Sequence, residues 1–276
     1  MTTTPPTAWS TYTILTGVVG SRAHGLNTAT SDVDRCSVFA YNTVDMAALY
    51  PPHEQTLTAD DSDHTFHEVG KFCRLALACN PHALELLWLP SYERLAPLGH
   101  DLVAMRAAFL AAPLVRSAYL GYARSQLKRL GRPNVAKLPN EKRAKLARHF
   151  ARILTTGQQL YTTGELYVSA AMTPVDVIQF GVKFASDHDA GVAQAQAMID
   201  AADAAMNAPS PLPDQPDALA VTAYVARVRS RYLVRNTAPN EADWVDVDAP
   251  DARGTVGTDA PEIFQTLRDE MGGYRI

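Results

Sequence analysis

Residues Gly20 to Asp34 read Gly-Ser-Arg-Ala-His-Gly-Leu-Asn-Thr-Ala-Thr-Ser-Asp-Val-Asp. A run rich in β-branched and aromatic residues, Thr11 to Val19 (TYTILTGVV), leads into Gly20-Ser21. A second, Val33 to Tyr41 (VDRCSVFAY), leaves from the acidic end. Runs of this kind bounded by turn residues predict two β-strands joined by a turn-rich segment. Strand side chains alternate, so Asp32 and Asp34 share one face. Neighbouring carboxylates repel unless a cation lies between them, and hard oxygen ligands suit Mg²⁺. Gly20 lets the backbone pass close to a ligand. Ser21, with the first amides of a following helix, is placed to hold phosphate oxygens. Either signal alone is common; their order, spacing and strand context together supply the parts of metal-assisted phosphoryl chemistry.

Working outward, His64 to Glu68 predicts a third, short strand. Val69 to Cys79 then has Phe72, Leu75, Ala76 and Cys79 at helical spacing. Asn80-Pro81 punctuates the chain, Asn as a cap and Pro in a first helical turn, before a short helix through Leu84, Leu87 and Trp88. From about Asp101 strand signals fade. Amphipathic segments follow at Leu114 to Leu130, Glu141 to Thr163, Pro174 to Ala185, Val192 to Met206 and Pro216 to Val234. This reads as an α+β protein: a small mixed-sheet domain over residues 1–112, then an all-helical domain over residues 113–235. Residues 236–276 are acidic and punctuated by Gly and Pro, which predicts a mobile tail with a short helix near Phe264 to Met271.

Composition narrows the setting. The chain has 276 residues, 47% apolar and 20% charged, which excludes bulk disorder and leaves enough material for a sizeable core. No apolar run reaches the ~18 residues of a membrane span. The first basic residue is Arg22, so no signal peptide is legible, and three cysteines without CxxC spacing fit a reducing cytoplasm. Charge is unevenly spread: Arg116 to Arg152 carries eleven Lys/Arg against the single acid Glu141, a net of +10 that leaves −14 for the rest. A positive segment in an acidic chain points to a local anionic partner. Within it Lys142, Lys145, His149 and Arg152 fall on one stripe of a helix, beside the apolar stripe Leu146, Phe150, Ile153. No acids interleave, so contact with nucleotide phosphates or a nucleic-acid backbone is expected from Lys145, His149 and Arg152.

Gly20-Ser21, Gly25 and Ser31-Asp32-Val33-Asp34 resemble the signature of the DNA polymerase β-type nucleotidyltransferase superfamily. Further stretches resemble a narrower nucleotidyltransferase family that includes bacterial RNA-repair-pathway members and many phage proteins. These are His67-Glu68-Val69-Gly70-Lys71-Phe72, Asn80-Pro81, Leu84-Glu85-Leu86-Leu87, Lys145 to Arg152 (KLARHFAR) and Leu212-Pro213-Asp214. Together they cover roughly residues 13–234. In one place the chain departs from the family: Cys36-Ser37 stand where many relatives have Arg-Gly, which leaves nucleotide choice open.

The resemblance implies transfer of a nucleoside monophosphate from an NTP to a hydroxyl, with pyrophosphate leaving. It implies two Mg²⁺ ions (Mn²⁺ being the alternative) bridging Asp32, Asp34 and the triphosphate. Superfamily members add a third acid on a neighbouring strand. Asp63, which opens the run His64 to Glu68, is the first choice, with Asp60, Asp61 and Glu68 as rivals. Gly20, Ser21, Arg22, His24 and Lys71 are the remaining candidates for the nucleotide. The acceptor expected from the family and the +10 segment is an RNA or tRNA end. A protein side chain or small molecule, or a non-catalytic nucleotide-binding or antitoxin-like module, is the alternative. Glu85, in an apolar helix, reads as a buried cap or ion pair, Tyr119 and Tyr122 as helix packing, and His64 with His67 lacks the spacing of a zinc pair.

Overall fold

The computed structural model describes residues 12–27, 31–50, 52, 56–58, 63–169 and 175–233. The expected acidic tail and the rival acids Asp60 and Asp61 lie outside these residues. The N-terminal layer is a five-stranded sheet of β1 (Thr13–Val18), β2 (Arg35–Phe39), β3 (Thr56–Thr58), β4 (His64–Glu68) and β5 (Arg94–Leu95), in the order β3-β4-β2-β1-β5. β2 and β4 run parallel; the other pairs are antiparallel. The sheet is therefore mixed, and the whole is α+β, as the alternation of short strands and later helical periods predicts.

Three strands and the helices that follow them form where the sequence pattern puts them. α1 (Thr43–Met46) is a short turn of helix. α2 (Val69–Leu77) starts at Glu68, whose side chain accepts from the Gly70 and Lys71 amides. α3 (Pro81–Leu87) starts at Asn80, whose side chain accepts from the His82 and Ala83 amides, with Pro81 in the first turn. The apolar sides of these helices, including Phe72, Ala76, Leu84 and Leu86, close over Ile14, Leu15 and Val38 of the central strands, all fully buried. The short β3 and β5, together with α4 (Pro97–Ala104), carry no readable period in the sequence.

The helical half is α5 (Ala112–Leu130), α6 (Pro133–Ala136), α7 (Asn140–Thr163), α8 (Val175–Ser186), α9 (His188–Ala205) and α10 (Ala218–Arg231). α7 is its axis, packed on α5, α8 and α9 through Ala147, Phe150, Ala151 and Leu154. Gly157 lies flush against the Tyr119 ring, which a Cβ there would overlap, so α5 and α7 approach closely. One apolar cluster runs unbroken from the sheet into this bundle.

The last helix differs from the expected grouping in its partner. α10 packs on α2 of the N-terminal layer: Arg229 pairs with Glu68 at 2.5 Å, Arg227 with Asp101 at 2.7 Å, and the Tyr224 hydroxyl donates to the Leu98 carbonyl. An amphipathic pattern shows that a face is covered, not which element covers it.

Candidate active site

β1 delivers the chain to Gly20, and β2 takes it away from Asp34. The Val19 amide donates to the Asp34 carbonyl at 2.9 Å, so the two ends of the intervening stretch stay adjacent. Residues 20–25 form consecutive turns rather than the expected helix. The Gly25 amide donates to the Arg22 carbonyl and the Leu26 amide to the Ser21 carbonyl. Gly20 has φ +71, and a Cβ there would stand 2.6 Å from Asp34 Oδ2. Its backbone conformation and its contact with Asp34 both require glycine.

The amide of Gly20 is committed to Glu85 Oε1 at 2.6 Å, so of the two residues, both of which line the cleft, Ser21 is the one whose side chain can offer a donor. Arg22 reaches along the loop to donate to the carbonyls of Asp32 (3.2 Å) and Ser31 (2.7 Å), thereby tying down the segment that carries the acids. His24 is buried, its Nε2 3.5 Å from Glu85 Oε1. Both residues brace the turn; neither lines the cleft described below.

That cleft, about 610 Å³, lies between the sheet's loop and α7. Gly20, Ser21, Asp32 and Asp34 form one wall. Lys142, Lys145, Arg148, His149 and Arg152 face them from the other, with His82 of α3 alongside. The basic stripe and the carboxylate pair, more than a hundred residues apart, meet here. Arg148, outside the expected stripe, also lines the cleft, three positions after Lys145 on the same helix. Lys142, Lys145 and Arg148 form no salt bridge with any described residue. Arg152 instead donates to Glu85 Oε2 at 3.0 Å, both side chains buried, as expected of a buried Glu85. Burial alone would raise the Glu85 carboxyl, but Arg152, His24 and the Gly20 amide hold it well below the ordinary carboxylate range.

Asp63 sits immediately before β4, and its carbonyl accepts the Arg35 amide at 2.8 Å. Parallel pairing of Arg35 with His64 therefore sets Asp63 beside Asp34. Glu68 pairs with Phe39 at the far end of the same strand, about 13 Å along at ~3.3 Å per residue, and is wholly engaged in capping α2 and holding Arg229. Lys71 starts α2 at that same far end and does not line the cleft. The Asp34 carboxyl is pushed up, first by burial, then by the neighbouring charges of Asp63, Asp32 and Glu85, with Lys145 opposing.

No three acidic, His or Cys side chains among the described residues converge into a ready metal cage. Mg²⁺ does not need one: it keeps waters and binds through one or two carboxylates plus substrate phosphates. Asp32 and Asp34, hard oxygen donors on the cleft wall with mutual repulsion to relieve, fit that requirement.

Three further side chains form a group that the sequence did not reveal. The Tyr122 hydroxyl of α5 lies 2.8 Å from His149 Nε2 and 3.2 Å from His82 Nε2. Tyr119 is packed in the core as expected, but Tyr122 is not merely packing. The three come from α3, α5 and α7, so no local spacing links them.

No curated protein matches the chain. The family described as RNA repair pathway DNA polymerase beta family matches over residues 8–177. That span is more than half of the chain, and takes in the sheet, the Gly20 to Asp34 stretch and all of α7. With the carboxylate pair, the Gly-Ser turn and the facing basic helix in their places, the chain belongs to the RNA repair pathway DNA polymerase beta family.

Proposed function

We propose that the protein transfers a nucleoside monophosphate from an NTP to a hydroxyl of an RNA or tRNA end. The observation that carries this is the opposition, across one cleft, of Asp32 and Asp34 to Lys142, Lys145 and Arg148 of α7, which form no salt bridge with any described residue. The triphosphate lies between them. Lys142, Lys145 and Arg148 balance its charge and orient its leaving pyrophosphate, and Ser21 donates to a phosphate oxygen. Mg²⁺ held by Asp32 and Asp34, when bound, supplies further charge neutralisation at the α-phosphate. The acceptor oxygen forms its bond to the α-phosphorus as the bond to the β-phosphate oxygen breaks. The hydroxyl proton passes to the carboxylate at Asp63, beside Asp34. Glu85, Arg152 and His24 fix the turn against α7 and take no part in the chemistry.

Incubating the protein with each α-³²P-labelled NTP, Mg²⁺ and total RNA tests the proposal. Label is expected in RNA. Label in protein instead moves the acceptor to a side chain, and nucleotide binding with no label transferred shows a non-catalytic module.

A further inference from the structure

We infer that His82 and His149 on the cleft wall, with the Tyr122 ring edge-on to both, form an aromatic platform that stacks a nucleobase, and this rests on the nucleotide reading of the cleft given above. The geometry carries it. The imidazoles of His82 and His149 are nearly parallel, 12° apart in plane with centroids separated by 6.0 Å. The Tyr122 ring stands edge-on to both, at 5.5 Å from His82 and 5.9 Å from His149. Its hydroxyl lies within hydrogen-bond distance of both Nε2 atoms, 3.2 Å from His82 and 2.8 Å from His149. Both imidazole orientations are thereby fixed before any ligand arrives.

His82 and His149 line the cleft that also holds Asp32, Asp34 and Lys145. On α7, His149 lies four residues beyond Lys145, one turn and ~6 Å along the axis. Lys145 shares the cleft with Asp32 and Asp34, which in the nucleotide reading makes it the phosphate end. One helical turn further is about the reach of a sugar from its 5′-phosphate to its base.

Chemistry agrees with position. Burial first, then Arg152 and His82, lowers His149 to about 4, so it is uncharged at neutral pH. It therefore offers a phosphate no charge, unlike Lys142 and Lys145 on the same stripe. A π-face is what remains, and histidine and tyrosine rings stack bases without regard to their hydrogen-bonding edge. The platform thus reads stacking area, and purines are expected to bind tighter than pyrimidines. The base belongs either to the incoming NTP or to the acceptor's last nucleotide.

The test uses the full chain and ligands that cannot react. α,β-Methylene-ATP, inorganic tripolyphosphate and an RNA oligonucleotide ending in 2-aminopurine are titrated against wild type, His82→Ala, His149→Ala and His149→Phe. Stacking predicts that either alanine variant weakens a base-bearing ligand about 10- to 100-fold. Tripolyphosphate affinity should stay unchanged, and His149→Phe should keep affinity within a few-fold of wild type. Weakening of the ATP analogue assigns the platform to the NTP base; loss of 2-aminopurine quenching and RNA affinity assigns it to the acceptor base. An equal loss for tripolyphosphate, no loss for either base-bearing ligand, or a wild type that binds neither would overturn the inference. Stacking without any transfer of label in the reaction above leaves the platform standing and removes only the proposed activity.

Discussion

Arg152 of α7 donates to Glu85 of α3 across 3.0 Å, with both side chains buried. The other oxygen of the same carboxylate accepts the Gly20 amide. One carboxylate thus joins the loop that carries the acids to the helix that carries the cations. Removing one partner strands a buried charge, and such losses cost about 3–5 kcal/mol. Glu85→Ala is expected to lower urea-unfolding stability by that order, while the pair Glu85→Leu with Arg152→Met loses much less than the two single changes added together. Additive single changes of under about 1 kcal/mol would show that the two elements are not coupled through this pair.

Asp34 is partly buried and held among like charges, so its ionised form is disfavoured without a cation. Asp34→Asn removes that repulsion. The variant is expected to melt at or slightly above the wild-type temperature in the absence of Mg²⁺, to lose the melting shift that added Mg²⁺ with NTP produces, and to transfer no label. Near-normal transfer by a folded Asp34→Asn protein would remove Asp34 from the site.

Asp63 and Glu68 separate by the kind of damage their loss does. Asp63 is exposed beside Asp34, whereas Glu68 caps α2 and pairs with Arg229. Asp63→Ala should leave the melting temperature near wild type and cut transfer by orders of magnitude. Glu68→Ala should lower stability, about 1 kcal/mol for the cap and more for the stranded Arg229, with any activity loss following unfolding. A stable, inactive Glu68→Ala beside an active Asp63→Ala would reverse the two roles.

What was legible in the sequence is what lies close together along it. Gly20, Ser21, Asp32 and Asp34 share one stretch, and the strands that flank it, β1 and β2, hold its two ends together. The α7 stripe repeats at helical spacing, so its face could be read, although not what it faces. Glu85 and Arg152 lie 67 residues apart, His82 and Tyr122 40, and Tyr122 and His149 27, and they meet only through packing. β3 and β5, of three and two residues, are too short to show a period. A glycine-led phosphate loop predicts a helix after Gly20, because such loops often open one. Here the Gly25 and Leu26 amides close turns on Arg22 and Ser21 instead.

Acid should weaken the fold earlier than its carboxylates require. Burial first, then nearby cationic groups, lowers both His67 and His149 to about 4. The unfolded chain takes up these protons near pH 6.5, but the folded chain does not. Stability is therefore full above about 6.5 and falls as pH drops toward 4, by up to about 1.4 kcal/mol per pH unit for each group. Urea midpoints measured between pH 7 and 4.5 should fall, and the slope should shrink in His67→Gln and His149→Gln. An unchanged slope in both variants would place the acid sensitivity elsewhere.

The cations on α7 give the proposal its sharpest measurement, because a nucleic-acid backbone and a triphosphate leave different traces in salt. Each phosphate neutralised on a single strand releases counterions worth a log–log slope of about 0.7. Lys142 and Lys145 line the cleft without salt-bridge partners among the described residues, so their whole charge is available. Lys142→Gln with Lys145→Gln should weaken RNA binding and flatten its salt dependence by about 1.4, with little change in stability, since no internal pair is broken. If they hold only the NTP, its apparent affinity falls and the RNA slope stays as it was. That outcome would move the polyanion surface off α7 and leave the acceptor end to be held by the N-terminal layer. If neither ligand is affected, the stripe is a solvated face, and the opposition of charges across the cleft loses its functional meaning.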